Sequence, residues 1–405
     1  MINIERLKQR FTMLAQIDSI SKEEAGIAAK LEDILTQMGA EVFIDSAGEK
    51  IGGNCGNLIA KFKGNKAVSP IMLSGHMDTV EPGKGVKVLF KDGIFTSDGT
   101  TILGSDDKSA LAIILEVMDI VNENALPCPP VEVVFTVCEE IGLKGAKNFD
   151  LSMIDSKIGY ILDSTDTEGI VTKAPAANRF VIKVYGKDAH AGASPEKGIN
   201  AILVASKAIA KLELGRIDHE TTCNIGTIEG GKATNIVPDL VTIHGEARSH
   251  DEAKLKAITD HILNTFYSTA EELKKKLGSD SLPKIEIELE HDFPATNIPE
   301  DHVVVKLAKQ AAKNLGKEMQ CKTIGGGADS NIFFGKGIVT GVLGTGMTDV
   351  HTVRESVKLD DMVNTTLLLL EILKIHALGI MGITKTDSDK NGNCCCKNNS
   401  KAGDI

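Results

Sequence analysis

A strand buried on both faces is written into residues 131–137, Val-Glu-Val-Val-Phe-Thr-Val, an apolar, β-branched run with little alternation. Two adjacent carboxylates, Glu139 and Glu140, follow it. Ile71–Ser74 is a second such run and leads into His76 and Asp78, and Ile158–Leu162 is a third and ends on Asp163. Strands covered on both sides need helices on both faces of a sheet, and open sheets of that kind gather ligand sites at the carboxyl ends of their strands. The expected class is α/β with a mixed central sheet, and the acids and the histidine at the strand ends are the first candidates for chemistry.

The surrounding pattern fills in the rest. Residues 2–16 read as a helix, and Ser21 with Glu24 reads as a capping box for a second helix ending near Gly39. Glu41–Ile44 and Leu58–Phe62 read as strands, and residues 81–101, rich in Gly, Asp and Lys, as a loop. The helix that follows, to Asn122, is apolar nearly all round and so belongs in the core. A chain of 405 residues exceeds what one core usually serves, and from Asn178 the pattern changes. Phe180–Tyr185, Thr221–Ile228, Val237–Arg248 and Lys284–Leu289 read as strands, with helices at Gly198–Leu212 and His250–Lys276. That order, β-α-β-β-α-β, is ferredoxin-like. The expected division is residues 1–177 and 293–384 in one domain, an inserted α+β domain at 178–292, and a disordered tail at 385–405.

A net charge of −11, from 45 basic and 56 acidic residues, argues against nucleic acid or an anionic membrane as partner. No run has the length of a membrane span, and the first residues lack a secretory pattern. Cys55, Cys128, Cys138, Cys223 and Cys321 are scattered, as reduced thiols of a cytoplasmic protein are. Cys394-Cys395-Cys396, with no histidine beside it, reads as a thiol handle, a palmitoylation site or an adventitious metal binder rather than a zinc site.

Five side chains at strand or helix ends suit zinc: His76, Asp106, Glu140, Asp163 and His351. Two imidazoles and three carboxylates serve two ions if one carboxylate bridges, and Asp106, opening a buried helix, is placed to do so. Taken alone, Asp106 or Asp107 is more often merely an N-cap, and a lone H-x-D such as His76–Asp78 is more often an ordinary surface or core pair. Within a strand, residues two apart share a face, so Asp78 is placed to orient His76. Glu139 and Glu140 point apart, so one can be a ligand while the other serves as general base. Gly325-Gly326-Gly327 lets backbone approach a ligand and precedes a helix, so the N–H groups around Gly326 suit a substrate carboxylate.

The segments S-G-H-M-D-T-V, L-G-S-D-D-K-S-A, V-C-E-E-I-G-L-K-G-A, Y-I-L-D-S, A-H-A-G-A-S-P, G-G-K-A-T-N-I-V-P and H-T-V-R-E-S-V occur here in this order. Together they resemble the co-catalytic zinc exopeptidases, the group of peptidase T, carboxypeptidase G2, acetylornithine deacetylase and succinyl-diaminopimelate desuccinylase, with peptidase T the nearest type. The likeness spans roughly residues 5–380. It implies a zinc-exopeptidase catalytic domain with an inserted lid or dimerisation domain, and two Zn2+ per chain, with Co2+ or Mn2+ as substitutes. His76 would hold one zinc with Asp78 orienting it, and Asp106 would bridge. Glu140 and Asp163 would each bind one ion, and His351 would complete the set. Glu139 would be the general base toward a metal-activated water. His190 would polarise the scissile carbonyl, while Asn235 and Arg248 would bind substrate. The implied substrates are short peptides, with N-acyl amino acids as the alternative, and a homodimer through the lid stands against a monomer. The aminotripeptidase has an arginine where Ile324 stands here.

Overall fold

The computed structural model describes residues 2–379, so the calls on 385–405 and Cys394–Cys396 lie outside the described residues. The chain divides into two compact units, Met1–Thr172 with Asn297–Thr323 and the chain from Ala328, and Lys173–Thr296 with Ile324–Gly327. Among the described residues, no helix is long and apolar enough to cross a membrane.

The first unit is built on a mixed sheet. Strands β1 (Glu41–Ile44), β2 (Leu58–Phe62), β3 (Ile71–His76), β4 (Val131–Thr136), β5 (Ile158–Ser164), β6 (Gly169–Ala174) and β7 (Val339–Gly344) run in the order β1-β2-β4-β3-β5-β7-β6. The four central strands, β4-β3-β5-β7, are mutually parallel, so their carboxyl ends share one edge. The β1–β2, β2–β4 and β7–β6 pairs are antiparallel. All of β3 and β4 is buried, which is what the unbroken apolar runs demand. Each fully buried Leu73, Val133 or Phe135 contributes about 1.5–3 kcal/mol.

Helices α1 (Ile4–Ala15), α2 (Ala25–Gln37), α3 (Ser105–Glu123), α4 (Val303–Asn314) and α5 (Leu359–Leu378) cover the sheet. Helix α3 packs on β3, with α1 and α5 against α3 in turn. One charge inside this layer, Glu116, is fully buried and is met by Arg6 Nε at 2.6 Å, Arg6 Nη2 at 2.9 Å and the Asn3 N–H at 3.0 Å. Residues 81–101 differ from the expected loop, because Leu89–Lys91 and Ile94–Thr96 form a hairpin in a small sheet with Met347–Thr348 and Ser356–Lys358. The expected capping box is also absent. Ser21 Oγ donates instead to Asp78 Oδ2 at 2.6 Å, and Glu24 Oε1 accepts from the Lys22 and Cys138 N–H groups, each at 3.0 Å. Tertiary partners outcompete the local cap here.

The second unit is an antiparallel sheet in the order 215–216, 221–230, 240–249, 176–185, 284–293, with helices Ala201–Ile209 and Glu252–Leu277 packed on it. Phe180, Ile182, Val184, Val241, Ile243, Ile262 and Phe266 form its core. The sequence pattern places the boundaries at 177 and 293, with residues 324–327 in the first domain. That segment joins the second unit because the Ile324 N–H donates to Lys173 O at 3.0 Å, His250 Nε2 lies 2.9 Å from Ile324 O, and Gly327 abuts the Phe293 ring where a Cβ would collide.

Candidate metal centre

Parallel neighbours deliver side chains to one edge of the first unit's sheet. His76 is the last residue of β3, Glu139 and Glu140 follow β4, Asp163 lies near the end of β5, and Asp106 is the second residue of α3. His76 Nδ1 lies 2.9 Å from the main-chain oxygen of Asp78, which can only accept, so Nδ1 carries the proton and Nε2 is directed to Asp106 Oδ1 at 3.1 Å. Asp106 Oδ2 lies 3.1 Å from His351 Nε2, which is also 3.0 Å from both oxygens of Glu140. One carboxylate therefore stands between two imidazoles, each oxygen facing one ring. His76, Asp106 and Glu140 present donor atoms within 4.8 Å of one another. His351 is half exposed and has φ 61°, a left-handed conformation that costs a residue with a Cβ about 1–2 kcal/mol, so its turn is held from elsewhere.

The structure separates the two acids of the Asp106–Asp107 pair. Asp107 is fully buried behind β3, where its Oδ2 accepts the His76 N–H at 3.2 Å, and its Oδ1 has no hydrogen-bond partner among the described residues. Asp106, not Asp107, lies between the rings. Asp78 meets the His76 ring through both its main chain and its carboxylate. Its main-chain oxygen is the nearer partner of the His76 ring, with Oδ1 at 3.5 Å. The carboxylate mainly holds the next strand end, Oδ1 accepting from the Glu139 N–H at 2.9 Å and Oδ2 from the Glu140 N–H at 3.2 Å. Alternation of side chains holds only inside a strand, and β3 stops at His76.

Burial and neighbours set the electrostatics. Burial raises the carboxyl of Asp106, yet the imidazoles of His351 and His76 hold it well below the usual range. Burial, with Asp163 beside it, pushes Glu139 well up, and burial with Asp106 pushes Asp163 to about 7. Burial raises Glu140 against the pull of His351. The carboxylates of Asp106 and Glu140 raise His351 to about 10. Such an excess of desolvated negative charge around two imidazoles is what divalent cations offset, and imidazole nitrogen with carboxylate oxygen is a donor set that zinc takes. The residues present fit a metal centre.

Two acids had no place in the sequence reading. Asp329, buried at the start of the helix Asp329–Gly335, accepts from Thr136 Oγ1 at 2.5 Å, while its Oδ1 has no partner among the described residues. Burial pushes it to about 6, and its charge is felt by Glu139 and Asp163. Glu355 is buried against the Leu103–Asp106 turn. The sequence hints are position alone, Asp329 two residues after the glycine triplet and Glu355 four residues after His351 within H-T-V-R-E-S-V.

The remaining predicted residues belong to the second unit. His190 Nδ1 accepts the N–H groups of Gly192 at 3.1 Å and Ala193 at 3.0 Å, so Nε2 keeps the proton and is a donor on an exposed side chain. Asn235 is exposed beside it, because the Ala191 N–H donates to Asn235 O at 2.9 Å and the Val237 N–H to Ala189 O at 2.9 Å. Arg248 is gripped by Glu246 through two bonds of 3.0 Å, lies over the Phe293 ring, and reaches Gly325 O at 3.4 Å. Gly326 is exposed on that loop.

The pattern of peptidase family M20/M25/M40 matches residues 72–375, most of the chain. The chain belongs to this family. This M20 member is 41% identical to the uncharacterized protein YqjE of Bacillus subtilis over 92% of this chain and 99% of that one. The crystal structure of aminopeptidase PepT from Bacillus cereus matches with a TM-score of 0.84 at 41% identity, covering 93% of this chain and 99% of the other. A tripeptidase from Staphylococcus aureus matches with a TM-score of 0.87 at 38% identity, covering 93% and 100%. As an M20 member of peptidase T-like type the chain is a metallopeptidase, with His76, Asp106 and Glu140 as its candidate metal site.

Proposed function

We propose that this M20 chain is a two-zinc exopeptidase that hydrolyses amide bonds of short peptides, in the manner its peptidase T-like relatives are named for. The observation that carries the reading is Asp106, with one oxygen toward His76, the other toward His351, and Glu140 alongside. His76, Asp106, Glu140, Asp163 and His351 would hold the ions, with Co2+ or Mn2+ accepted by the same donors. Two divalent ions there would supply Lewis acidity for the scissile carbonyl and lower the pKa of water toward neutrality.

The chain's own groups do the rest. Glu139 removes the proton of the attacking water and passes it to the leaving amine nitrogen. Asp78 fixes the Glu139–Glu140 main chain, so the base and a ligand are set together. His190 offers Nε2–H to the carbonyl oxygen as negative charge builds on it. Asn235, Arg248 and the N–H groups around Gly326 receive the polar end of the substrate.

A second reading, an N-acyl-amino-acid deacylase with the same site, rests on one detail. Ile324 stands where the aminotripeptidase has an arginine, which argues against strict tripeptide selectivity. Tripeptides, dipeptides and N-acetyl amino acids assayed with zinc, with and without chelator, separate the two. Hydrolysis of the free peptides that chelator abolishes and zinc restores is expected. Faster cleavage of N-acetyl amino acids would move the assignment to the deacylase. Exposed Ile202, Leu203, Ile228, Leu240 and Leu289 of the second unit are apolar surface that a homodimer through this unit would cover. Sedimentation at the mass of one chain would exclude it.

A further inference from the structure

Glu355 is 1% exposed, and its carboxylate accepts four hydrogen bonds from a single turn. Oε2 accepts from the Leu103 and Gly104 N–H groups, each at 2.8 Å, and Oε1 accepts from Ser105 Oγ at 2.6 Å and the Asp106 N–H at 2.9 Å. The turn is the entry to α3, where Gly104 has φ 75° and Asp106 and Asp107 leave helical angles with ψ 98° and 25°. A helix start leaves N–H groups without partners, and no side chain at the N-cap of α3 supplies one. A carboxylate from far along the chain takes that place, with its charge at the positive end of the helix dipole.

Glu355 is also four residues beyond His351 and adjoins Ser356–Lys358, the strand paired with Ile94–Thr96. A single side chain therefore grips the main chain of Asp106 and anchors the loop that presents His351. Asp106 Oδ2 and His351 Nε2 meet at 3.1 Å although their segments are far apart in sequence. We infer that Glu355 is a positioning residue that sets Asp106 and His351 jointly for metal binding; this rests on the metal reading above. Glutamine is a poor replacement, because its amide N–H2 would face N–H donors that now meet an oxygen. Aspartate, one methylene shorter, cannot keep both oxygens in place.

Co2+ titration of the full chain, followed by visible absorption, tests the inference, since it reads stoichiometry, affinity and ligand geometry without relying on turnover. Folded Glu355→Gln is expected to bind Co2+ about 10–100-fold more weakly, with an altered band. Ser105→Ala, which removes one of the four donors and covers the case in which Glu355→Gln fails to fold, is expected to weaken binding about two- to tenfold. A lowered melting temperature with wild-type affinity and band in Glu355→Gln would make Glu355 a structural staple only and overturn the inference, as would wild-type affinity in Ser105→Ala. A wild-type chain that takes up no Co2+ overturns the metal reading as well, which keeps the two failures apart.

Discussion

The strand-end cluster of the first unit and the His190–Asn235 pair of the second are held in opposite ways. Around the centre, Asp106, Asp78, His351 and Glu355 each have at least two partners. Asp78 holds two N–H groups and a hydroxyl, Asp107 holds the His76 main chain, and Glu355 holds a whole turn. In the second unit His190 is pinned through Nδ1 only, and Asn235 is exposed. A group that must keep a metal's geometry is tied from several sides, whereas a group that meets substrate keeps one face open. Changes in the cluster should therefore move metal binding and rate together, and changes in the second unit should move rate or substrate handling while leaving the metal in place.

The sharpest way to break that contrast is Asp106→Ala. Loss of the shared carboxylate is expected to reduce hydrolysis by at least about a thousandfold, equivalent to several kcal/mol of Lewis-acid stabilisation, with zinc content falling in parallel. An active, metal-poor variant would refute the assignment. Glu139→Gln should keep bound zinc while turnover falls at least about a hundredfold, and retained turnover with intact zinc removes Glu139 as base. For His190→Ala the expectation is a loss of about a hundredfold in kcat with metal content untouched, the low end for a carbonyl-polarising donor; zinc loss in this variant would erase the distinction between the two regions. The smallest effect is expected at Arg248. Its replacement by Ala should raise KM about tenfold for peptides with a free carboxylate and leave peptide amides nearly unchanged, because the guanidinium is already shared with Glu246. Equal losses on both substrate forms would show that Arg248 acts on packing over Phe293 instead.

The parts legible in the sequence were those whose cause is local. Residues 131–137 and 71–74 read as buried strands because all but Glu132 are apolar or small, and the positions after them are where a parallel sheet presents ligands. His76, Glu140, Asp163 and Asp106 followed from that logic, and the motif order added the roles. Elements decided by distant partners were not legible. Ser21 and Glu24 carry the pattern of a helix cap, yet both turn toward Asp78 and Cys138, contacts that no window of twenty residues contains. Glu355 and Asp329 look like ordinary surface acids until the chain folds, and the Leu89–Thr96 hairpin is hidden because it pairs with residues near 357. Gly326 falls with the first domain by sequence pattern, but its loop is tied by Lys173 and His250.

We propose that the carboxylates and imidazoles around Asp106 hold two metal ions. Elemental analysis of the full chain reconstituted with zinc and freed of loosely bound ion tests it most directly. The account predicts close to two zinc per chain, falling in Asp106→Ala; one equivalent or fewer in the wild-type chain would contradict it.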